Sequence, residues 1–279
     1  MKKIIAVFDG LKFSNSTRDY AIQMASENNA HLVGLFLDDP FYQSYKVYDL
    51  IGEDGGISPE KQKKFIEADT RKRDKASADF EKACRAAGIQ YTIRHNKEIA
   101  SQALLQESIY ADMLIIGGHE TFTNRTEQAP TRFVKDILSE VLCPVMVTPV
   151  HFTPFDHLIL LFDGQPTSVY AIKMFSYMLP ALKEHPARVL SVKPMGQSGH
   201  LPDSKLMKEF MKRHFPRATY TIMKGLPEVE IVSYLRKEKL SPLVVLGAYQ
   251  RGMVSRWFRQ SMADLLIKEL KLPVFIAHH

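Results

Sequence analysis

The sequence contains two copies of one short stretch. Residues 4–10 read IIAVFDG, and residues 158–164 read LILLFDG. In both copies an apolar run ends in Phe-Asp-Gly, which is typical of a buried parallel strand that runs into a tight turn. Two such stretches at a separation of 154 positions indicate an internal duplication.

Two later pairs of segments keep the same order. The first pair is MLIIGG at 113–118 and LVVLGA at 243–248, and the second is CPVMV at 143–147 and LPVFI at 272–276. Gly117 precedes Pro144 by 27 positions, and Gly247 precedes Pro273 by 26. Unrelated apolar strands would not keep this spacing, so the duplication extends over most of the chain.

Strands alternate with helices between these landmarks, and we predict five strands and four helices in each half. The predicted strands are 3–8, 31–37, 89–94, 112–117, 144–149, 157–162, 187–193, 217–223, 243–247 and 273–277. The predicted helices are 15–28, 59–87, 99–109, 131–141, 167–183, 203–214, 227–237 and 256–270. This order predicts an α/β protein with two tandem, open, mostly parallel five-stranded sheets flanked by helices. Pro149 and Pro154 interrupt regular structure between the halves, so we place one domain at 1–150 and the other at 151–279.

The first half is longer than the second. Asp9 precedes Gly117 by 108 positions, whereas Asp163 precedes Gly247 by 84, and most of the extra residues lie in 38–88. This insertion combines a glycine-rich turn with a long charged helix. It is either a lid or interaction arm, or a solvated helix behind a surface loop.

Composition excludes several classes of protein. The formal net charge is +6, but the basic residues are dispersed, so we expect no nucleic-acid partner. Two cysteines do not make a disulfide framework, and no apolar stretch approaches ~20 residues. The first apolar run stops at Asp9, too early for a signal peptide, so we expect a cytoplasmic protein that does not bind membranes.

The candidate ligand-binding residues follow the strands. Asp9 and Asp163 each end a first strand, and Gly117 and Gly247 each end a fourth strand. Open parallel sheets bind ligands beyond the carboxyl ends of their strands, and the start of a helix suits phosphate. We also expect Ser14 and Ser168 to cap the helices that follow the first strands.

The loop after Gly247 is rich in phosphate-binding side chains, namely Arg251, Arg256, Arg259 and Ser261. In the alternative interpretation these arginines are solvated, and Trp257 and Phe258 pack in the core. Arginine enrichment in one loop does not decide between the two interpretations.

These features resemble the universal stress protein family over nearly the whole chain. Family members carry G-x2-G-x9-G-S/T between the fourth strand and the fourth helix, and those that bind ATP use it for the phosphates. They also carry an Asp after the first strand that faces the nucleoside. Asp9-Gly10 and Asp163-Gly164 resemble that Asp, and the stretch from Leu243 to Pro273 and the Gly225-x-Pro227 element resemble other family features. The resemblance implies a Rossmann-like fold of the adenine nucleotide α-hydrolase type.

The glycine motif is incomplete in both halves. Its positions read Gly247, Gln250, Gln260 and Ser261 in the second half, and Gly117, Glu120, Pro130 and Thr131 in the first. A side chain crowds the place where the backbone must approach a phosphate. Glu120 would repel a phosphate, and Pro130 lacks a backbone N–H. We therefore expect nucleotide binding in the second half only.

The resemblance implies a ligand and a set of binding residues. The expected ligand is ATP or a related adenine nucleotide, with Mg²⁺ only as its companion. The expected contacts in the second half are Asp163, Gly164, Val192, Gly247, Gln250, Gln260, Ser261 and Met262; the degenerate first-half site would use Asp9, Gly117 and Thr131. We expect no catalytic residues, because the SGGxDS and HxGH signatures of related enzymes do not occur, and no resident metal, because no His/Cys cluster has zinc spacing.

Two functions stay open from the sequence. One is a stress-response module that binds a nucleotide, and the other is a ligand-free scaffold or interaction protein whose nucleotide sites have degenerated. Family members pair two domains through their last strands. We therefore predict an internal pseudo-dimer that joins 144–149 to 273–277, and a homodimer of whole chains is also compatible with the resemblance.

Overall fold

The computed structural model describes residues 1–53, 55–196, 200–238, 241–247 and 262–277. In these ranges the strands are β1 Lys3–Phe8, β2 His31–Leu37, β3 Tyr91–Asn96, β4 Met113–Gly117, β5 Val145–Thr148, β6 His157–Leu161, β7 Ala187–Lys193, β8 Thr219–Lys224, β9 Pro242–Gly247 and β10 Val274–Ala277. The α-helices are α1 Asn15–Glu27, α2 Pro59–Ala86, α3 Ala100–Ser108, α4 Arg132–Glu140, α5 Pro166–Met178, α6 Ser204–His214, α7 Pro227–Lys237 and α8 Met262–Leu270. Short 3-10 helices span Val47–Leu50 and Pro180–Glu184.

All ten strands belong to one continuous sheet, in the order β3-β2-β1-β4-β5-β10-β9-β6-β7-β8. Neighbouring strands are parallel within each half, whereas β5 and β10 are antiparallel, with Val147 opposite Val274. The predicted pairing of the last strands is therefore confirmed. The two predicted five-stranded sheets are the halves of a single ten-stranded sheet.

Helices cover both faces of this sheet. Successive side chains of a strand point to opposite faces, so Ile4 and Phe8 lie in one core and Ile5 and Val7 in the other. Helices α1, α2, α5 and α6 cover the first face, and α3, α4, α7 and α8 cover the second. Both cores continue from one half of the chain into the other, which explains why the two halves form a single three-layer structure.

The junction between the halves is itself part of the core. Met146 of β5 lies opposite Phe275 of β10, and both side chains are fully buried. Burial of a side chain of this size stabilises a fold by about 1.5–3 kcal/mol. The hydrogen-bonded junction is thus supported by apolar packing as well.

Two predicted features of α5 are wrong. The helix ends at Met178 instead of extending to residue 183, because Pro180 lacks the N–H that an α-helix needs and begins a 3-10 turn instead. Ser168 is not the N-cap residue. Pro166 occupies the first turn, so the N-cap is Gln165, and the Ser168 hydroxyl donates to the Gln165 carbonyl. Ser14 does cap α1, since its hydroxyl accepts from the Thr17 N–H.

The insertion in the first half contains the first 3-10 helix, a small hairpin and the 28-residue helix α2. The later turns of α2 pack on the sheet through Ala76, Phe80 and Cys84, which are buried. The earlier turns are largely exposed and contact residues 41–58 instead, for example through the Asp69 carboxylate, which accepts from the Ser44 N–H at 2.9 Å. We call residues 41–72 the arm.

The antiparallel junction separates the two candidate sites. Because β5 and β10 run in opposite directions, the carboxyl ends of the strands of one half lie at the sheet edge where the strands of the other half begin. Asp9 and Asp163 therefore lie at opposite edges of the sheet. One ligand cannot bridge them.

Candidate functional site

A cleft opens at the carboxyl ends of the strands in the second half. Its walls are largely apolar and come from strands β6, β7 and β9 and helices α7 and α8; they include Leu161, Leu190, Val192, Ile231, Leu246 and Met262. Asp163 and Gly247 line the same cleft. The structure thus brings together Asp163, Val192, Gly247 and Met262, four of the residues that the sequence predicts for this site.

Asp163 presents a carboxylate to this cleft. The residue is exposed, and its Oδ1 accepts a hydrogen bond from the Gln165 N–H at 2.9 Å. Among the residues that the structure describes, none donates to Oδ2. One carboxylate oxygen thus holds the turn in place, and the other has no donor within the described part of the chain.

Gly164 shapes the turn rather than the cleft wall. Its φ of +87° lies in the left-handed region, and a Cβ at this position would lie 2.7 Å from the Cβ of Pro202. Only glycine meets both conditions at low cost.

Gly247 is required by packing. A Cβ on this residue would lie 2.4 Å from the carbonyl oxygen of Thr167 and 3.0 Å from the backbone nitrogen of Ser168. The end of β9 therefore touches the first turn of α5 backbone to backbone. This close approach explains the glycine without any reference to phosphate.

The remaining predicted contacts of the second half lie outside the described residues. These are Gln250, Gln260 and Ser261, together with the arginines Arg251, Arg256 and Arg259. Their part in ligand binding stays a prediction from the sequence.

In the first half the equivalent aspartate is covered by the chain itself, although a separate cavity lined by Gly117, Glu120 and the start of α1 opens at the same edge of the sheet. Asp9 is only 1% exposed; its Oδ1 accepts from the Leu11 N–H, and its Oδ2 has no hydrogen-bond partner within 3.5 Å among the described residues. The side chains of Glu120 and Tyr42 are buried next to it. The carboxylate that faces an open cleft in the second half is enclosed in the first.

Burial dominates the electrostatics of this enclosed cluster. It raises the pKa of Glu120 well above the usual value, and the neighbouring Asp9 raises it further, while Lys12 opposes both effects. Burial also raises the pKa of Asp9, against the opposing influence of the Leu11 N–H, the Tyr42 hydroxyl and Lys12. Two adjacent buried carboxyl groups resist ionising together. The cluster therefore favours a state with at least one bound proton.

The loop that carries Glu120 is tied down at several points. The Lys12 ammonium donates to the Thr123 carbonyl at 2.6 Å, and the Asn124 amide donates to the Gln43 carbonyl of the arm at 2.7 Å. Thr131 caps α4 by accepting from the Val134 N–H, and its hydroxyl donates to the Glu120 carbonyl. The hydroxyl that the motif assigns to phosphate thus serves the loop itself.

Gly117, the other predicted residue of this site, lies against the buried Glu120 side chain. A Cβ on Gly117 would lie 3.2 Å from Oε1 of Glu120 and 3.2 Å from Oγ1 of Thr17. Tyr42 and Lys12 complete the cluster, and neither was predicted from the sequence. Lys12 follows Asp9 by three positions and was a detectable charge partner, whereas Tyr42 lies in the insertion and has no counterpart in the repeat.

The described residues contain neither a membrane-spanning helix nor a metal-binding cluster. No helix there combines the length and the apolar content that crossing a membrane requires. Nor does this part of the chain contain three or more His, Cys, Asp or Glu side chains arranged to hold a metal ion.

Comparison with known proteins identifies the fold. No protein-family model and no curated relative matches the sequence. The crystal structure of a universal stress protein from Archaeoglobus fulgidus DSM 4304 matches with a TM-score of 0.68 and 13% identity, over 99% of this chain and 98% of its own. A protein of unknown function from Pseudomonas aeruginosa PAO1 matches with a TM-score of 0.62 and 13% identity, over 100% of this chain and 92% of its own. The chain therefore has the universal stress protein fold over its full length, with a large, mostly parallel sheet flanked by helices.

Proposed function

We propose that this chain is a tandem universal stress protein that binds an adenine nucleotide, such as ATP, in the second-half cleft and has no strong catalytic activity. The observation that carries the proposal is the contrast between the two first-strand aspartates. Asp163 is exposed in a cleft, whereas Asp9 is buried under Glu120 and Tyr42. A stress-response role in the cytoplasm belongs to the same proposal.

The chemistry of the second-half cleft fits a nucleoside. Apolar walls such as Val192 and Ile231 suit the faces of a flat base. The free oxygen of Asp163 suits a sugar hydroxyl, because a carboxylate is a strong acceptor. Phosphates would extend toward the loop between β9 and α8, where Ser261, Gln250, Gln260 and the arginines follow in sequence. Mg²⁺ would enter only with the phosphates.

The first half does not suit the same ligand. A nucleotide that contacts Asp9 would have to displace Glu120 and Tyr42 from their buried positions. It would also bring phosphate charge next to two acidic side chains, which costs free energy. We therefore assign one nucleotide to each chain.

Calorimetry on the purified full chain tests this assignment. We expect ATP to bind with a dissociation constant below ~100 μM, roughly −5.5 kcal/mol. Asp163→Asn should weaken binding roughly tenfold, and Ser261→Arg should abolish it. The matched control is Asp9→Asn, which changes the equivalent residue of the other half and should leave the affinity unchanged. Binding that depends on Asp9 and not on Asp163 would contradict the proposal.

A ligand-free interaction protein is the second candidate. The covered first-half aspartate and the exposed arm favour it, because neither feature serves a nucleotide. The absence of a binding signal with any adenine nucleotide would support this candidate. Steady ATP turnover that is lost in Asp163→Asn would instead indicate an enzyme.

A further inference from the structure

We propose that the arm is a self-association surface, on which a second copy of this chain docks through an exposed apolar face formed by Tyr48, Ile51 and Ile57. The proposal does not depend on nucleotide binding. We call these three residues the arm patch.

The arm patch is contiguous and exposed. Ile51 and Ile57 pair across an antiparallel bridge, so their side chains lie on the same face of the hairpin. The Ile51 N–H donates to the Tyr48 carbonyl, and residues three apart in a 3-10 turn lie above one another. The exposed fractions are 62% for Tyr48, 44% for Ile51 and 58% for Ile57, and the nearby Phe41 and Val47 are 85% and 71% exposed. Single exposed apolar residues are common, but a contiguous set marks an interaction surface.

The exposure does not result from a lack of structure around the patch. The Ser58 N–H donates to the Leu50 carbonyl at 2.9 Å, and the Gly52 N–H donates to the Gly56 carbonyl at 2.7 Å. Leu50 is buried beneath the patch. The same hydrogen bonds that form the hairpin therefore hold its apolar side outward.

Charges of both signs flank the arm patch. The Lys46 ammonium lies 5.5 Å from the centre of the Tyr48 ring, and the Lys61 ammonium donates to the Ile51 carbonyl at 2.6 Å. Lys63 and Lys64 follow Glu60 in the first two turns of α2, which leaves this helix start net basic, and cations there oppose the helix dipole and lower the stability of the isolated chain. Glu53 lies at the hairpin turn, on the other side of the bridge pair from α2.

This arrangement of charge is self-complementary. A two-fold axis through the arm patch places the acidic turn of one copy against the basic start of α2 in the other. The arm patches of the two copies then meet at the centre of the contact. An anionic lipid surface presents only one sign of charge, so it would complement the lysines but oppose Glu53 and Asp49. A second copy of the chain presents both signs of charge in matching positions.

Sedimentation velocity of the full chain over a wide concentration range tests the proposal. We expect a monomer–dimer equilibrium whose dissociation constant rises at least about tenfold in Ile51→Asp/Ile57→Asp. Leu142→Asp is the matched control, since Leu142 is also exposed but lies outside the arm, and it should leave the equilibrium unchanged. Circular dichroism of each variant checks that the fold is intact.

Charge reversal then tests the two-fold arrangement. Glu53→Lys and Lys63→Glu/Lys64→Glu should each weaken the homodimer through like-charge contacts. An equimolar mixture of these two variants should recover dimers, because both contacts of the mixed dimer then join opposite charges. A chain that is monomeric at all concentrations, a dimer that is insensitive to Ile51→Asp/Ile57→Asp, or a mixture that recovers no dimer would each overturn the proposal. So would a chain that is monomeric in solution but binds phosphatidylserine vesicles through the arm patch.

Discussion

Glu120 buries its carboxyl group next to that of Asp9 at the end of the first strand, and the two residues are only 7% and 1% exposed. Asp163, which ends the equivalent strand of the second half, is exposed in a cleft. The duplicated scaffold has thus kept the aspartate in both copies but gives it a protein partner in one and open space in the other.

The buried carboxyl pair predicts that Glu120→Gln stabilises the protein at neutral pH. Burial and Asp9 raise the pKa of Glu120 above its unfolded value, so this group contributes most to stability at low pH. That contribution is lost as the pH rises through the folded-state pKa, because the unfolded chain ionises more readily. The amide has the same shape and no charge, and we expect it to raise the free energy of unfolding by about 1 kcal/mol or more near pH 7.

Urea denaturation of both proteins at several pH values measures this effect. The difference between them should shrink toward pH ~3, where the wild-type carboxyl group is almost fully protonated in both states. Glu98→Gln is a suitable control, because that side chain is exposed. A difference that grows on acidification would refute the assigned direction of the pKa shift.

The two fourth-strand glycines predict unequal costs of substitution. Gly247→Ala places a Cβ 2.4 Å from a backbone carbonyl oxygen, which no side-chain rotation relieves, and overpacking of this kind costs about 1–3 kcal/mol. Gly117→Ala meets only side-chain atoms at 3.2 Å, and Glu120 and Thr17 can shift. We therefore expect Gly247→Ala to be the more destabilising variant in chemical denaturation, and equal losses would contradict this.

The strands and helices were predictable from the sequence because buried parallel strands are continuously apolar and the helices between them are amphipathic. The enclosure of Asp9 by Glu120 and Tyr42 was not predictable from the sequence. The sequence showed that Glu120 would repel a phosphate, but its burial depends on the path of the loop. Phe122 there adopts a left-handed φ of 49° and packs on Phe133. Tyr42 reaches Asp9 from the insertion, so no repeat pattern could place it. Such contacts depend on the packing of segments that are distant in sequence.

If the second half alone binds nucleotide, hydrogen exchange should respond there alone. Saturating ATP should slow amide exchange in β7 around Val192 and at the end of β9 around Leu246, because a bound ligand suppresses local opening. The loop 117–131 of the first half serves as an internal control and should exchange at an unchanged rate. Mass spectrometry of peptic peptides resolves the two regions, and protection of the loop 117–131 would indicate a ligand in the first half.

A buried histidine predicts acid sensitivity. The His214 ring accepts or donates a hydrogen bond with the Ser176 hydroxyl in the packing between α5 and α6, and burial lowers its pKa, helped by Lys183 and Lys173. The unfolded chain therefore binds this proton more readily, and stability is lost as the pH falls through about 6.5. His214→Gln keeps a polar side chain without the titration. Its free energy of unfolding should decline less than that of the wild type between pH ~7 and ~5, and parallel declines would exclude His214 as the cause.

The Lys2 side chain links the two halves of the chain at a place far from either candidate site. We predict that removing its charge lowers the stability of the protein. Its ammonium group donates to the carbonyls of Tyr177 and Met178 at 2.6 and 2.5 Å, so a residue that precedes β1 caps the last turn of α5. The final carbonyls of a helix have no partner within the helix, and a cation there interacts favourably with the helix dipole.

Lys2→Met keeps most of the apolar stem and removes the charge, and we expect it to lower the free energy of unfolding by about 1 kcal/mol. Lys3→Met is the neighbouring control, because within the described part of the chain the Lys3 ammonium pairs with the Glu107 carboxylate alone, at 3.6 Å, and partly exposed pairs contribute little. Urea denaturation compares the two variants. If Lys3→Met costs as much as Lys2→Met, the lysine at position 2 does not act as a helix cap.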